Sequence, residues 1–119
     1  MLGSCANSQS QSKEVIVSVD AKKFRELVES GNGTVLDVRT QEECDAGYIA
    51  GAKIIDIYLE GFEEKVKQLP KDKEVYVYCR AGRRSMDAAK ILEKNGFTKV
   101  YNLQAGINEW NDSGFPLVK

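Results

Sequence analysis

The segment from Cys79 to Ser85, which reads C-R-A-G-R-R-S, combines a thiol with one glycine and three arginines. A strand-like run, Val75 to Tyr78, precedes this segment, and a helix-like run, Met86 to Leu92, follows it. The N-terminus of a helix offers unpaired N–H groups and the positive end of the helix dipole. Together with the arginines it favours thiolate over thiol, and the thiolate is the nucleophile. The sequence therefore predicts an enzyme that forms a covalent intermediate on Cys79.

The same loop predicts how the reacting sulfur and an anionic substrate are held. Successive backbone N–H groups from Arg80 to Ser85 would surround the negative sulfur as an anion-binding nest, and Gly82 permits the backbone angles this requires. The three arginines cannot all point one way, so we expect one or two at the pocket mouth and the rest as solvated charge. Ser85 is placed to cap the following helix and to donate to the sulfur. The candidate substrate-binding residues are Arg80, Ala81, Gly82, Arg83, Arg84 and Ser85.

Length and composition set limits on the class of protein. A chain of 119 residues with 42% hydrophobic residues suits one domain with a real core. The net charge of −1 gives no global reason to expect nucleic acid or an anionic membrane as partner. Histidine is absent, which excludes Cys-His and Ser-His catalytic pairs and removes the commonest metal ligand. The three cysteines, Cys5, Cys44 and Cys79, form no C-x-x-C pair, so we predict no metal site, no disulfide framework and no cofactor.

The first thirteen residues differ in composition and pattern from the rest of the chain. Residues 1–6 resemble the end of a bacterial lipoprotein signal, with Cys5 as the lipid-anchored residue, although the usual apolar segment is missing. The alternative is an accidental or vector-derived start. Residues 7–12 are polar and of low complexity, which favours a disordered tether. We therefore expect a tail at 1–13 and a domain at 14–119, in the envelope or periplasm if Cys5 is lipidated and in the cytoplasm otherwise.

Strand-like and helix-like patterns alternate from Glu14 onward. Strands are predicted at Val15–Val17, Thr34–Val38, Ala52–Ile55, Val75–Tyr78 and Lys99–Leu103. Helices are predicted at Ala21–Ser30, Thr40–Gly47, Leu59–Leu69, Ser85–Asn95 and Ile107–Asn111. Thr40 and Glu43 are expected to form a capping box at the start of the second of these helices. This alternation favours an α/β fold, a five-stranded parallel sheet with helices on both faces. Ligands of such sheets bind beyond the carboxyl ends of the strands, where Cys79 lies.

Three segments together resemble the single-domain rhodaneses, the thiosulfate sulfurtransferase family. They are the L-D-V-R stretch at 36–39 followed by Glu43 and the G-Y-I-A-G-A run at 47–52, the loop at 79–85, and the G-I…W…G-F-P pattern at 106–116. The resemblance covers about residues 14–119 and implies a rhodanese-like three-layer sandwich. We expect a monomer, the default for a compact single domain of this kind, and no cofactor; the lipoprotein-like start favours a bacterial source.

Individual residues follow or depart from that resemblance. Tyr48 stands where the family usually has histidine, at a position that is normally structural. Cys44 is interpreted as a small buried apolar side chain, the alternative being a resolving thiol for Cys79. Asp37 and Arg39 are expected to support the active loop as a structural ion pair, and Trp110 is expected to anchor the core.

The chemistry implied by the resemblance is a double displacement. The Cys79 thiolate would attack the outer sulfur of thiosulfate, sulfite would leave, and a persulfide would remain on Cys79. Arginines at the pocket mouth would bind the sulfonate end of thiosulfate and stabilise the departing sulfite. Cyanide or a thiol, including that of a thioredoxin-like protein, would then accept the sulfur.

Three alternatives stay open at this point. A persulfide carrier in a sulfur relay would use the same chemistry with a protein acceptor. A cysteine-based phosphatase or arsenate reductase would use a loop one residue longer, with five residues between cysteine and arginine, whereas four separate Cys79 from Arg84. A non-catalytic module would commonly lack the cysteine.

Overall fold

The computed structural model describes residues 14–119, so the predicted tail and the predicted lipid anchor at Cys5 lie outside the described residues. The strands are β1 (Ile16–Val19), β2 (Gly33–Asp37), β3 (Lys53–Ile54), β4 (Glu74–Tyr78) and β5 (Val100–Leu103). The helices are α1 (Ala21–Ser30), α2 (Gln41–Asp45), α3 (Phe62–Val66), α4 (Arg83–Lys94) and α5 (Gly106–Asp112). None of these helices combines the length and the apolar character needed to cross a membrane.

The five strands form one parallel sheet in the order β1-β5-β4-β2-β3. The predicted α/β architecture is therefore confirmed. β4 lies at the centre of the sheet, between β5 and β2, and leads directly to Cys79.

The central strand divides its side chains between two apolar cores because successive residues of a strand face opposite sides. Val75, Val77 and Cys79 pack into the core under α3 and α4. Tyr76 and Tyr78 pack into the core under α1 and α5. The molecule thus has three layers, and the reactive cysteine belongs to the α4 side of the sheet.

Local signals mark most of the helix ends. Asp20 caps α1 by accepting from the Lys23 amide at 2.9 Å, and Gly31 ends it in the left-handed conformation with φ of 73°. Thr40 and Glu43 form the predicted capping box at the start of α2.

The helix predicted at Leu59–Leu69 is shorter in the structure, where α3 covers Phe62–Val66. The Asp56 side chain accepts from the Tyr58 amide at 2.9 Å and holds the preceding residues in a turn. Tyr58 lies in this turn, outside the helix, and is 70% exposed.

The second core confirms the expectation for Trp110. Its side chain is 3% exposed and meets the Phe24 ring edge to face at 6.3 Å between centroids. The indole nitrogen donates to the Pro116 carbonyl at 2.9 Å, which ties the C-terminal segment to α5.

Candidate active site

The loop between β4 and α4 is held in one tight shape by a neighbouring loop. Gly82 has φ of 101°, and a Cβ built there would lie 1.9 Å from the Gln104 carbonyl oxygen. Gly106 has φ of 72°, and a Cβ there would lie 2.0 Å from the Arg80 carbonyl oxygen. Only glycine fits either position, so the two loops interlock through their glycines.

The N-terminal end of α5 organises the carbonyl groups of the active loop. The Ile107 amide donates to the Cys79 carbonyl at 2.9 Å, and the Asn108 amide donates to the Arg80 carbonyl at 3.3 Å. The carbonyls of Cys79 and Arg80 are therefore hydrogen-bonded to α5, while amides later in the loop point towards the Cys79 sulfur.

The Cys79 sulfur lies in a cradle of hydrogen-bond donors. The Gly82 amide donates to Sγ at 3.1 Å and the Ser85 amide at 3.3 Å. The Ser85 hydroxyl lies 3.3 Å from the same sulfur. Ser85 is the third residue of α4, so its amide is one of the unpaired N–H groups of a helix N-terminus. The geometry is that of a site for a negatively charged sulfur.

Two opposing effects set the pKa of Cys79. Burial, the larger single effect, raises it, whereas the hydrogen bonds from Ser85, Gly82 and Ala81 together lower it. The hydrogen bonds prevail, and the pKa of the Cys79 thiol lies below its ordinary value. The cradle therefore favours the thiolate even though the residue has no exposed surface.

Ser85 does not cap the helix that follows the active loop, contrary to its predicted role. Gly82 is the N-cap residue of α4, with no side-chain capping hydrogen bond, and the helix begins at Arg83, two residues earlier than predicted. The left-handed backbone of Gly82 turns the chain at once into the helix, which leaves Ser85 buried in the first turn beside the sulfur.

The three arginines of the loop differ in their surroundings. Arg84 forms a two-pronged ion pair with Glu43, with N–O distances of 2.8 and 2.9 Å, and its guanidinium lies 5.6 Å from the Tyr58 ring centroid. Arg80 and Arg83 are exposed and make no ion pair within residues 14–119. Free positive charge on the loop therefore comes from the first and second arginines, while the third is neutralised by a carboxylate.

Asp37 and Arg39 form the buried ion pair that their positions predicted, with a closest N–O distance of 2.7 Å. The Arg39 guanidinium also donates to the Gly47 carbonyl at 2.8 Å and lies 5.5 Å from the Tyr78 ring centroid. This network joins the end of β2 to the end of β4 beneath the active loop. Tyr48 exchanges backbone hydrogen bonds with Val118 and so helps to hold the C-terminal segment.

Cys44 is a buried apolar residue, as expected. It is 1% exposed, and burial raises the pKa of its thiol to about 12. Such a thiol is inert at neutral pH, which argues against a resolving role.

Two features of the site were missed by the sequence reasoning. Glu43 was recognised as a capping-box residue, but its ion pair with Arg84 spans 41 positions and follows from the tertiary fold. The Gln104 carbonyl that closes on Gly82 belongs to a loop with no chemical motif of its own. Within residues 14–119 no three acidic or cysteine side chains are grouped as a metal site would require.

Comparison with known proteins places the chain in a family. The family model for the rhodanese-like domain matches residues 20–113. The protein named thiosulfate sulfurtransferase 18 of Arabidopsis thaliana is 37% identical, over 92% of this chain and 89% of its own length. A crystal structure of a rhodanese-related protein from Thermoplasma volcanium superimposes with a TM-score of 0.76 at 35% identity, covering 86% of this chain and 97% of that one. The chain therefore belongs to the rhodanese-like family.

A further relative broadens the functional context. The Bacillus subtilis protein named "Putative sulfur carrier protein YrkF" is 33% identical over 85% of this chain, which spans 54%, about half, of that relative. These relatives support sulfur transfer in general terms as the activity of the family to which this chain belongs.

Proposed function

We propose that this protein moves a sulfane sulfur from thiosulfate to a thiophilic acceptor through a persulfide on Cys79. The observation that carries the proposal is the cradle around Sγ, in which the Gly82 amide and the amide and hydroxyl of Ser85 converge on one buried sulfur. Such a cradle stabilises a thiolate before the reaction and, once the sulfur is loaded, the negative charge of a persulfide.

The first half-reaction transfers one neutral sulfur atom. The Cys79 thiolate attacks the outer sulfur of thiosulfate, a new S–S bond forms, and the bond to the sulfonate sulfur breaks with its electron pair on sulfite. The exposed guanidiniums of Arg80 and Arg83 are suited to attract the dianion and to stabilise sulfite as it leaves. Arg84 is held and neutralised by its two-pronged ion pair with Glu43, so it is not free to move towards the substrate.

The length of the loop supports sulfur over phosphate as the transferred group. Four residues separate Cys79 from Arg84. The close backbone contact between Gly82 and Gln104 leaves the loop no room to widen. A phosphoryl group needs donors around three oxygens, whereas a persulfide adds a single atom beyond Sγ. The compact cradle therefore favours the sulfurtransferase over the phosphatase or arsenate reductase alternative.

A persulfide carrier that hands its sulfur to another protein is the second candidate. It is favoured by the exposure of two large apolar side chains, Tyr58 at 70% and its chain neighbour Leu59 at 58%. Tyr58 lies against Arg84, so a partner that covers it would also approach the loop. A thioredoxin-like protein with a reactive thiol is the kind of acceptor that this candidate implies.

Initial-rate kinetics with thiosulfate and cyanide test the proposal. Because the sulfur rests on the enzyme between two half-reactions, double-reciprocal plots at several cyanide concentrations should give parallel lines. Cys79→Ser should be folded and inactive, whereas Cys44→Ala, a matched loss of a buried cysteine away from the cradle, should retain ping-pong kinetics. Intersecting lines, or thiocyanate formation by Cys79→Ser, would refute the mechanism.

A further inference from the structure

Asn102 is a buried polar residue in the apolar layer between the sheet and α4. It is 1% exposed, and its side-chain oxygen Oδ1 has no hydrogen-bond partner within residues 14–119. It is the one buried side-chain nitrogen or oxygen atom of those residues that lacks a partner. A buried carbonyl oxygen without a donor costs free energy that an apolar side chain of similar size would not. The unused acceptor therefore indicates a donor that the folded chain does not itself supply.

The sheet register places Asn102 on the same face as the reactive sulfur. Asn102 pairs with Val77 of β4, and paired residues of parallel strands face the same side. Cys79 lies two residues beyond Val77 and therefore also faces α4. Adjacent strands lie about 4.8 Å apart and residues two apart along a strand about 6.6 Å, so roughly 8 Å separates the Cα atoms of Asn102 and Cys79. One water molecule can bridge two polar side chains at this separation.

The surroundings of Asn102 suit a water molecule. The buried side chains in the first two turns of α4 are small, namely Ser85, Ala88 and Ala89. Ser18 of the edge strand β1 pairs with Asn102, faces the same side and is exposed, so polar side chains lead from solvent to Asn102. A buried water needs at least two polar partners. Asn102 Oδ1 and the Cys79 sulfur provide two acceptors for its two hydrogens.

We propose that Asn102 is a positioning residue that holds a buried water molecule beneath Cys79, and that this water donates a hydrogen bond to the sulfur. The inference deepens the proposed sulfur transfer, on which its loading test rests. The donors described above approach the sulfur from the active loop and from the first turn of α4. The water adds a donor from the side of the sheet and stabilises the thiolate further.

The charged groups of the site lie away from Asn102. The residues of β1, β5 and β4 that share its face are uncharged, and they are Ile16, Ser18, Val100, Val75 and Val77. The buried residues of α3 and α4 on this side are uncharged as well. Arg80, Arg83 and Arg84 belong to the active loop and the start of α4, and Arg84 pairs with Glu43 of α2. Asp37, the partner of Arg39, pairs with Tyr78 in the sheet and faces the opposite core. A substitution at Asn102 therefore breaks no ion pair.

The pH dependence of alkylation by iodoacetamide, followed at Cys79 by peptide mass, tests the inference without sulfur transfer. Asn102→Leu keeps the size of the side chain and removes the acceptor, so the alkylation profile should shift to higher pH. Sulfur loading from thiosulfate at neutral pH should slow by about tenfold. The urea unfolding midpoint should not fall, because leucine removes an unsatisfied buried group. Asn102→Thr keeps an oxygen on the same face and should recover most of the reactivity.

Val100→Ala is the matched control for packing. Val100 lies on the same strand and face as Asn102, one residue pair farther from the sulfur. The cavity left by this change should lower the urea unfolding midpoint, while the alkylation profile of Cys79 stays as in the wild type. An unchanged profile in Asn102→Leu, or an equal shift in Val100→Ala, overturns the inference.

A crystal structure of the full chain locates the water directly. The wild-type protein should show a water molecule within hydrogen-bond distance of both Asn102 Oδ1 and Cys79 Sγ, and Asn102→Leu should not. Wild-type electron density without that water overturns the inference. If the wild-type protein takes up no sulfur from thiosulfate while Asn102→Leu still shifts the alkylation profile, the proposed function fails and the role of Asn102 stands.

Discussion

Ser85 is the residue that most directly links this structure to thiolate chemistry. It is fully buried, and both its amide and its hydroxyl lie 3.3 Å from the Cys79 sulfur. A hydroxyl in this position is a donor to the thiolate and to little else. Removing the Ser85 hydroxyl should therefore change the reactivity of the Cys79 sulfur more than the stability of the fold.

Ser85→Ala should slow sulfur loading from thiosulfate by about tenfold to a hundredfold, because a hydrogen bond to a charged group is worth about 1.5–3 kcal/mol. The pKa of Cys79 should rise in the variant, which is measured as the pH dependence of alkylation by iodoacetamide. Ser113→Ala, a change at an exposed serine beyond α5, should leave both properties as they are. An unaltered alkylation profile in Ser85→Ala would show that the hydroxyl does not stabilise the thiolate.

Glu43 has two structural functions at the residue scale, since one carboxylate completes the cap of α2 and neutralises Arg84. Pairing with Arg84 lowers the pKa of Glu43 from an ordinary 4.5 to about 2, so the folded state binds the proton more weakly than the unfolded state. The stabilisation is present above pH 4.5 and is lost as the pH falls towards 2.

Glu43→Gln should lower the free energy of unfolding at pH 7 by about 1–3 kcal/mol, after allowance for partial exposure. The difference from wild type should shrink as urea unfolding is repeated between pH 4.5 and 2. Glu42→Gln removes an equal charge from the exposed first turn of the same helix and serves as the control. A deficit in Glu43→Gln that is the same at low pH would assign it to lost packing instead of the ion pair.

At the scale of elements, the site depends on two loops that fit only because each carries a glycine. The β4–α4 loop presents its amides to the sulfur, and the β5–α5 loop closes against it at Gly82 and Gly106. The amides of Ile107 and Asn108 complete the contact. The geometry of the cradle therefore depends on both loops, and a change in the backbone of either loop should alter the hydrogen bonds to the Cys79 sulfur.

A non-glycine residue in the left-handed conformation costs about 1–2 kcal/mol. Gly82→Ala should lower the free energy of unfolding by more than this, because the new Cβ would also clash with the Gln104 carbonyl. Sulfur loading should fall with it. Gly51→Ala is a matched control, since Gly51 has φ of 85° and a Cβ at that position would meet no atom within 4 Å, so that only the backbone cost applies. Thermal unfolding and loading rates check both variants, and equal losses in the two would disprove the interlock.

At the scale of the whole molecule, the sheet brings the site together from distant parts of the chain. The carboxyl ends of β2, β4 and β5 meet at one edge and deliver the Asp37–Arg39 pair, Cys79 and the loop of Gln104. This is where ligands bind in parallel sheets. Cys79, placed on the α4 side by the alternation of β4, therefore meets the start of α4.

Local patterns were sufficient to predict the strands, the thiol loop and the capping box of Thr40 and Glu43. Alternation, glycines and caps act over a few residues, so a single sequence shows them. The helix at Leu59–Leu69 was predicted too long because the Asp56 turn competes with helical spacing. The partner of Arg84 and the true cap of α4 depend on tertiary packing, which no local pattern encodes.

Intact-protein mass spectrometry after incubation with excess thiosulfate tests the central claim most directly. The wild-type protein should gain one sulfur atom, cyanide should remove it, and Cys79→Ser should gain none under the same conditions. A wild-type protein without the added sulfur, or an equal gain on Cys79→Ser, would contradict a persulfide on Cys79.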